Sequence, residues 1–195
     1  MIGEPVTLEG EQIRLDPMTR AHLDALVEAG KFEELWRWTA TTAYTAESMG
    51  EYVDAALADF AAGVALPFVT VDKESGTVIG STRFGNIDRA NRKVEIGWTW
   101  IIPAFQRTHV NSDAKYLMLR HAFEEWRCVR VELKTDALNE KSRNAMLRIG
   151  AKEEGVLRQH MVTHSGRLRD TVYFSILDSE WPGVRANLEA LESKR

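Results

Sequence analysis

A polar loop that leads from a strand into a helix is the part of the sequence best suited to bind an anion. Large apolar side chains occupy every second position from 94 to 102, and Pro103 ends this strand because proline cannot donate to a sheet ladder. Arg107 lies in the loop that follows, and Asn111 is predicted to cap the next helix. Free amides at a helix start and a nearby guanidinium favour a pyrophosphate group.

Glu95 lies within this strand, on the face opposite Val94 and Ile96. A carboxylate in this position can act as a general base if its surroundings tune its pKa. A solvent-facing glutamate on a half-exposed strand is the alternative interpretation. Gly97 is expected to mark a bulge in the strand, although a packing contact also accounts for a single glycine.

The loop resembles the acetyl-CoA signature of the GCN5-related N-acetyltransferases (GNAT), which runs Gln or Arg, two residues, Gly, one residue, Gly or Ala. Gln106 matches the first position, and His109 and Asn111 replace the two small residues. Because His and Asn tolerate left-handed backbone better than most residues, we expect both to adopt it at some cost. The wider pattern over 95–98 and 114–123 resembles the ribosomal-protein N-terminal acetyltransferases, the RimJ/RimL-like branch.

Periodicity alone predicts an α/β fold, with helices on both faces of a mixed central sheet. The order of the predicted elements resembles the single-domain GNAT acyl-CoA N-acyltransferase fold over residues 1–195. The resemblance implies acceptor-side helices at about 19–62 and an acetyl-CoA-binding core at about 93–150. A turn is predicted at 86–91, and Asn139 is predicted to cap the second cofactor helix.

The activity implied by the resemblance is transfer of an acetyl group from acetyl-CoA to a primary amine by direct attack, without a metal. Glu95 is the implied base, and Ser142 stands where relatives hydrogen-bond the sulfur. Many relatives use a tyrosine on this helix, which has none between 139 and 149. Asn139 as a mere cap and Ser142 as an ordinary first-turn serine remain open alternatives.

The same resemblance implies which residues contact the two substrates. Those predicted to bind the acetyl-CoA are Trp100, Ile101, Ile102, Gln106, Arg107, Thr108, His109, Val110, Asn111 and Asn139. Those predicted to line the acceptor groove are Trp36, Trp38, Tyr44, Phe84 and Asn86. Core packing or a dimer surface is the alternative for the early aromatic residues, since aromatics enrich both. Trp36 and Trp38 cannot face the same way on one helix.

Composition limits the remaining possibilities. The chain has 195 residues, a formal net charge of −4 and a single cysteine, Cys128. It shows no basic block and no apolar run of membrane-spanning length, so we expect no direct nucleic-acid partner and no membrane span. We expect a cytoplasmic protein that can form a homodimer, with acetyl-CoA and an amine acceptor as partners. A non-catalytic acyl-CoA-binding or scaffold protein on the same fold is the alternative function.

Overall fold

An eight-stranded mixed sheet forms the centre of the computed structural model, which describes residues 5–193. The strands are β1 (Leu8–Glu9), β2 (Ile13–Pro17), β3 (Leu66–Asp72), β4 (Val78–Asp88), β5 (Lys93–Ile101), β6 (Arg130–Asp136), β7 (Lys152–Val162) and β8 (Leu168–Leu177). The helices are α1 (Leu23–Gly30), α2 (Ala46–Ala61), α3 (Val110–Arg120), α4 (Glu140–Arg148) and α5 (Trp181–Glu192). Short 3₁₀ turns lie at Arg20–His22, Glu33–Trp36 and Pro103–Phe105, and a π-helical turn at His121–Glu125 continues α3.

The strand order is β1-β2-β3-β4-β5-β6-β8-β7, and β5 and β6 form the parallel pair. Their pairing is short: it runs from Lys93–Arg130 to Glu95–Glu132 and covers three residue pairs. Beyond Glu95 the two strands separate, whereas β6 stays paired with β8 along its whole length. The sheet therefore opens in its middle, between the second half of β5 and the second half of β6.

The two faces of the sheet carry different cores. On one face, α3, α4 and α5 cover a large apolar cluster that includes Phe84, Ile96 and Met118. On the other face, α1 and α2 pack over a smaller cluster that includes Trp36 and Trp100. Strand β5 contributes Val94 and Ile96 to the first cluster and Trp100 to the second, because a shift of register between Gly97 and Trp100 interrupts the alternation of its side chains.

Two predicted boundaries are wrong. Helix α3 begins at Val110, and its N-cap is His109 rather than Asn111. The Thr108 hydroxyl accepts a bond from the Val110 amide (3.4 Å), so the cap function is taken up before Asn111 is reached. The turn predicted at 86–91 starts later, because β4 continues to Asp88.

Helix α4 follows its prediction. Asn139 is its N-cap, and the Asn139 side-chain oxygen accepts a bond from the Ser142 amide at 3.2 Å. Gly150 follows the helix with a φ of +99°, which suits a residue without Cβ. The last two strands, β7 and β8, pair as an antiparallel hairpin.

Candidate active site

A bulge in β5 determines which side chains face the opening. Arg83 pairs with Gly97 but Ser81 pairs with Trp100, so β5 carries one residue more than β4 over this stretch. Trp98 has a φ of +50°, in the left-handed region. The prediction that Gly97 marks a bulge is confirmed, and the distortion follows directly after it. As a result, Glu95 and Thr99 face opposite sides of the sheet.

Glu95 is 3% exposed, so the interpretation as a solvent-facing glutamate is wrong. Its Oε2 atom accepts a bond from the Asn86 side-chain amide at 2.7 Å and forms an ion pair with the Lys134 ammonium at 2.9 Å. A Cβ atom on Gly97 would lie 2.9 Å from Glu95 Oε1, so the glycine leaves room for this oxygen. Within residues 5–193, Oε1 has no hydrogen-bond partner and is the oxygen available to accept a proton.

Aromatic rings and cations surround this carboxylate. The Lys134 ammonium lies 5.8 Å from the centroid of the Trp98 ring and 5.9 Å from that of Tyr173. The guanidinium of Arg83 lies between the rings of Trp98 and Tyr52, at 4.9 and 5.1 Å. Cation–π attraction of this kind holds charged groups beside an apolar wall. We call Glu95, Lys134, Asn86, Trp98 and Tyr173 the Glu95 pocket.

A second group of buried charges lies where β6 ends and the antiparallel β8 begins. Asp136 is fully buried, and Arg167 forms an ion pair with it. Arg169 is 7% exposed and donates from Nη1 to the backbone oxygen of Trp38 at 3.3 Å. Burial lowers the pKa of Arg169, and the nearby Asp136 opposes that shift. Trp38 itself lies under the guanidinium of Arg37, at 4.8 Å from the ring centroid.

The residues predicted for the acceptor groove separate into two groups. Tyr44 (38% exposed) and Asn86 lie at the surface, and Trp38 is partly exposed. Trp36 is 2% exposed and donates to the Gly30 backbone oxygen at 2.9 Å inside the core beneath α1 and α2. Phe84 has no exposed surface, because it points to the opposite face of the sheet. The placement of Trp36 and Phe84 in the wall of a groove is therefore corrected: both are core residues.

In the loop before α3, the left-handed position falls on a different residue from the two predicted. Arg107 has a φ of +63°, whereas His109 has a helical φ of −66° and Asn111 lies within α3. The expectation of left-handed backbone at His109 and Asn111 is wrong. Because α3 starts early, both residues follow the helical path and neither needs the freedom of a glycine.

The rest of the loop is ordered by short contacts. The Gln106 side-chain amide donates back to the Ile101 oxygen at 3.0 Å, and the Thr108 hydroxyl donates to the Phe105 oxygen at 2.7 Å. Arg148, from the end of α4, donates to the Ser112 hydroxyl at 3.0 Å. Arg148 therefore reaches the first turn of α3, and Arg107 lies in the loop that leads into that turn. Free amides and nearby guanidinium groups favour an anion.

The strand positions predicted for the acetyl-CoA behave differently from one another. The Trp100 side chain is 5% exposed and packs against Trp36 at a centroid distance of 5.4 Å, so only its backbone is available to a ligand. Ile101 and Ile102 are partly buried. Asn139 and Ser142 lie at the start of α4, where the Asn139 oxygen is occupied by capping and both side chains are partly exposed.

Sequence reasoning missed two lysines. The sequence carries no local signal for Lys134, because its partner, Glu95, lies 39 positions away and contacts it only through the pairing of β5 with β6. Lys115 had a usable signal: it interrupts the apolar stripe of α3, three positions before the fully buried Met118. It is 5% exposed, and its ammonium donates to the Thr99 hydroxyl at 2.9 Å.

Other chemistries find little support. Within residues 5–193, no group of three or more His, Cys, Asp or Glu side chains could hold a metal ion. Cys128 is 2% exposed, and burial raises the pKa of its thiol to about 11, which is typical of a structural cysteine. None of the described helices has the length and hydropathy needed to cross a bilayer.

Comparison with known proteins places the chain in a family. A model of the acetyltransferase (GNAT) domain matches residues 12–152. The "Putative ribosomal N-acetyltransferase YdaF" of Bacillus subtilis (strain 168) is 38% identical over 110 residues, which are 56% of this chain and 59% of YdaF. That alignment thus spans less than two thirds of YdaF. The "Uncharacterized N-acetyltransferase p20" of Bacillus licheniformis is 28% identical over 182 residues, 91% of this chain and 99% of p20.

Solved structures agree over nearly the full chain. A GCN5-related N-acetyltransferase from Brucella melitensis has 34% identity and a TM-score of 0.89, and the match covers 96% of this chain and 86% of that one. Mycobacterium smegmatis RimJ in complex with CoA-disulfide has 23% identity and a TM-score of 0.80 over 92% of this chain and 89% of RimJ, and at this identity shows the fold alone. The chain therefore belongs to the GCN5-related N-acetyltransferases, a family of acyltransferases, and consists of a single GNAT domain.

Proposed function

We propose that this protein transfers an acetyl group from acetyl-CoA to a primary amine by direct attack of the amine nitrogen on the thioester. The observation that carries the proposal is the Glu95 pocket: a buried carboxylate, fixed through one oxygen by Asn86 and Lys134, beside the opening between β5 and β6. A carboxylate whose second oxygen is open can take the proton that the attacking amine must lose.

The binding of acetyl-CoA is assigned to the loop and to the open edge of β5. The amides at the start of α3, with Arg107 and Arg148 nearby, offer positive potential to the pyrophosphate. Beyond Glu95, the edge of β5 that faces β6 is released from the sheet ladder and can pair with the amide groups of the pantetheine arm. Asn139 and Ser142 lie at the start of α4, which follows the end of β6, and we assign them to the same site.

The acceptor is proposed to be a protein N-terminus or a small-molecule amine, since a relative is named as a ribosomal N-acetyltransferase. It would reach Glu95 from the face covered by α1 and α2, past Trp38, Tyr44 and Asn86. The scaffold alternative loses one of its reasons, because the helical backbone at His109 and Asn111 removes the need for loop glycines.

Two further expectations belong to the same proposal. We propose a homodimer in which the hairpin of β7 and β8 is covered by a second copy. Its support is a group of apolar side chains that are 46–63% exposed, namely Val156, Leu157, Val162 and Leu168. Sedimentation would test it, and a monomer at micromolar concentration would contradict it. We also propose a cytoplasmic location, where acetyl-CoA is available and the Cys128 thiol stays reduced.

The proposed function is tested in two steps. Saturating acetyl-CoA should raise the melting temperature by several degrees, since ligand at 100 times its Kd adds about 2.7 kcal/mol to stability. Release of CoA thiol is then followed with a panel of amines: N-terminal peptides, lysine peptides, free amino acids and polyamines. Binding without thiol release from any amine would favour the scaffold alternative, and no binding would contradict both functions.

A further inference from the structure

Lys115 is a buried cation that the acetyl-transfer proposal leaves without a role. It is 5% exposed on the sheet-facing side of α3, and its ammonium donates to the Thr99 hydroxyl at 2.9 Å. Among the described residues, no carboxylate lies within ion-pair distance of it. A buried charge that lacks an opposing charge costs folding free energy, so its presence here requires an explanation other than stability.

The ammonium belongs to a small network of hydroxyl groups. The Thr99 oxygen lies 2.8 Å from the Thr82 oxygen, and Thr82 also approaches the Gly97 backbone oxygen at 3.4 Å and the Met118 sulfur at 3.5 Å. Either threonine could donate in the pair. When Thr82 donates to Thr99, Thr99 accepts from both neighbours, and its own hydroxyl donates to the Gly97 backbone oxygen at 3.4 Å. This bond is long, so a better acceptor can replace the Gly97 oxygen.

Thr99 is the member of this network that reaches the surface. Lys115 and Thr82 are buried, whereas Thr99 is partly exposed. It lies on β5 beyond Glu95, in the stretch that β6 no longer pairs. The bulge at Trp98 turns Thr99 toward α3, so Thr99 and Glu95 lie on opposite faces of β5.

Acetyl transfer needs a proton at two places: it is removed from the amine and it is delivered to the departing thiolate. Glu95 serves the first place, and no side chain assigned so far serves the second. Resting on the proposed acetyl transfer, we propose that Thr99 donates a proton to the CoA thiolate and that Lys115 replaces that proton from behind. Thr99 would be the catalytic residue of this step, and Lys115 would act through it.

The step balances as follows. The amine nitrogen bonds to the thioester carbon, and the carbon–sulfur bond breaks with its electron pair on sulfur. The Thr99 hydroxyl proton passes to sulfur while an ammonium proton passes from Lys115 to Thr99. The amine proton passes to Glu95. The products are an amide and a CoA thiol. Between turnovers Glu95 releases its proton to solvent, and a solvent proton returns to Lys115 through Thr99.

The acidity of Lys115 suits this task. Burial lowers its pKa from 10.5 to about 8, and no charged group on α3 or on the strands packed against it contributes to that shift. A free thiol titrates near a pH of about 8.5, so proton transfer from Lys115 to a thiolate is close to isoenergetic. An ordinary lysine would be the weaker acid by about two pH units and a poorer donor.

The first test measures the thiol of bound CoA and needs no acceptor. Ultraviolet absorbance of the thiolate is titrated in the CoA complexes of the wild type and of Lys115→Met, with the desulfo-CoA complexes as blanks. We expect the pKa of the bound thiol to rise in the variant by about one pH unit or more, because a nearby positive charge favours the thiolate. Thr99→Val, which keeps the shape of the side chain but loses the hydroxyl, is titrated in the same way.

The second test is kinetic. Lys115→Met, Thr99→Val and the double variant should each lower kcat by about 10- to 100-fold and leave the KM for acetyl-CoA unchanged. The double variant should be no slower than either single variant, since the two residues act as a unit. The alkaline limb of the kcat profile, which reports a protonated acid, should be absent in Lys115→Met. Lys31→Met, at an exposed position beside Glu28, is the matched control.

The outcomes separate this inference from the proposed function. If the wild type binds CoA but the bound thiol titrates identically in Lys115→Met, the relay is refuted and the acetyl-transfer proposal is untouched. Multiplicative losses of kcat in the double variant would refute it as well. If the wild type fails to bind CoA at all, the proposed function falls, and this inference falls with it.

Discussion

Glu95 and Lys115 are two buried charges on either side of the same strand, and their surroundings differ. They are 3% and 5% exposed, respectively. Glu95 is balanced by the Lys134 ammonium and the Asn86 amide, whereas Lys115 is hydrogen-bonded to a single neutral hydroxyl. The first arrangement compensates the loss of water and fixes the geometry of the carboxylate. The second leaves the charge poorly compensated, which makes its proton easy to give up.

Among the variants that test this comparison, Glu95→Gln should show the largest effect, a loss of turnover. Loss of a general base typically lowers turnover by about 100- to 10,000-fold, and we expect a loss in that range with acetyl-CoA binding retained. Thiol release under saturating substrates gives the turnover, and the shift in melting temperature gives the binding. Glu74→Gln, at an exposed position in the turn between β3 and β4, is the control. Unchanged turnover in Glu95→Gln would remove this carboxylate from the mechanism.

Lys134→Met tests how much the balance around Glu95 contributes to stability. The substitution leaves a buried carboxylate without its ion-pair partner, so we expect the free energy of unfolding to fall by about 3 kcal/mol. Urea unfolding at pH 7 measures it. The control is Lys93→Met, because its partner Glu132 keeps a second ion pair with Arg130. The free energy of unfolding of this variant should fall by less than about 1 kcal/mol. Equal losses of unfolding free energy in the two variants would show that the ion pair of Glu95 stabilises the fold no more than that of Glu132 with Lys93.

The pH dependence of stability tests the other side of the comparison. The pKa of Lys115 is about 8 in the folded state and lies near 10.5 when the chain is unfolded. Between these values the unfolded chain binds more protons, so stability rises with pH, by roughly 2 kcal/mol from pH 7 to pH 10 for this group alone. Lys115→Met lacks this pH-dependent contribution. We therefore expect the variant to gain stability relative to the wild type at pH 7, and this gain should shrink as the pH rises to 10.

The free energy of unfolding of both proteins is measured in urea at several pH values. Every other titratable group is present in both proteins, so the difference between the two free energies isolates Lys115. A difference between the two proteins that stays constant from pH 7 to pH 10 would contradict a depressed pKa at Lys115.

Gly97→Ala should give the smallest effect. A Cβ atom would lie 2.9 Å from Glu95 Oε1, so the carboxylate has to move by a few tenths of an ångström. We expect roughly a 10-fold loss of kcat, since small misplacements of catalytic groups are costly, with a loss of stability near 1 kcal/mol. Gly50→Ala in α2 is the control, where no atom lies within 4 Å of the added Cβ and a helix-favouring residue should stabilise by about 0.5–1 kcal/mol. Full activity in Gly97→Ala would mean that the position of Oε1 is not critical.

Much of the architecture could be predicted because its signals are local. Apolar periodicity located the strands and helices, Asn139 marked the start of α4 through contacts three residues apart, and a glycine marked the bulge of β5. The backbone conformation of the loop before α3 could not be predicted from such local signals. Arg107 rather than His109 takes the left-handed backbone, because Thr108 caps the helix earlier than the asparagine would.

The side chains proposed for the site also divide into those with a local signal and those without one. Glu95 was found from its strand, but Trp36 and Phe84 were assigned to a groove although both are core residues. Aromatic side chains favour cores and binding surfaces alike, so their type does not distinguish the two.

By itself, the sequence determined the family, the order of the elements and the place of the loop before α3, since these depend on periodicity, capping and short motifs. The tertiary structure decided which charges meet. The Lys134 partner of Glu95 depends on the pairing of β5 with β6, and the Thr99 partner of Lys115 depends on a one-residue bulge that sets the face of every later side chain. Pairing and register are long-range properties, and a shift of one residue reverses which side of the sheet a side chain occupies.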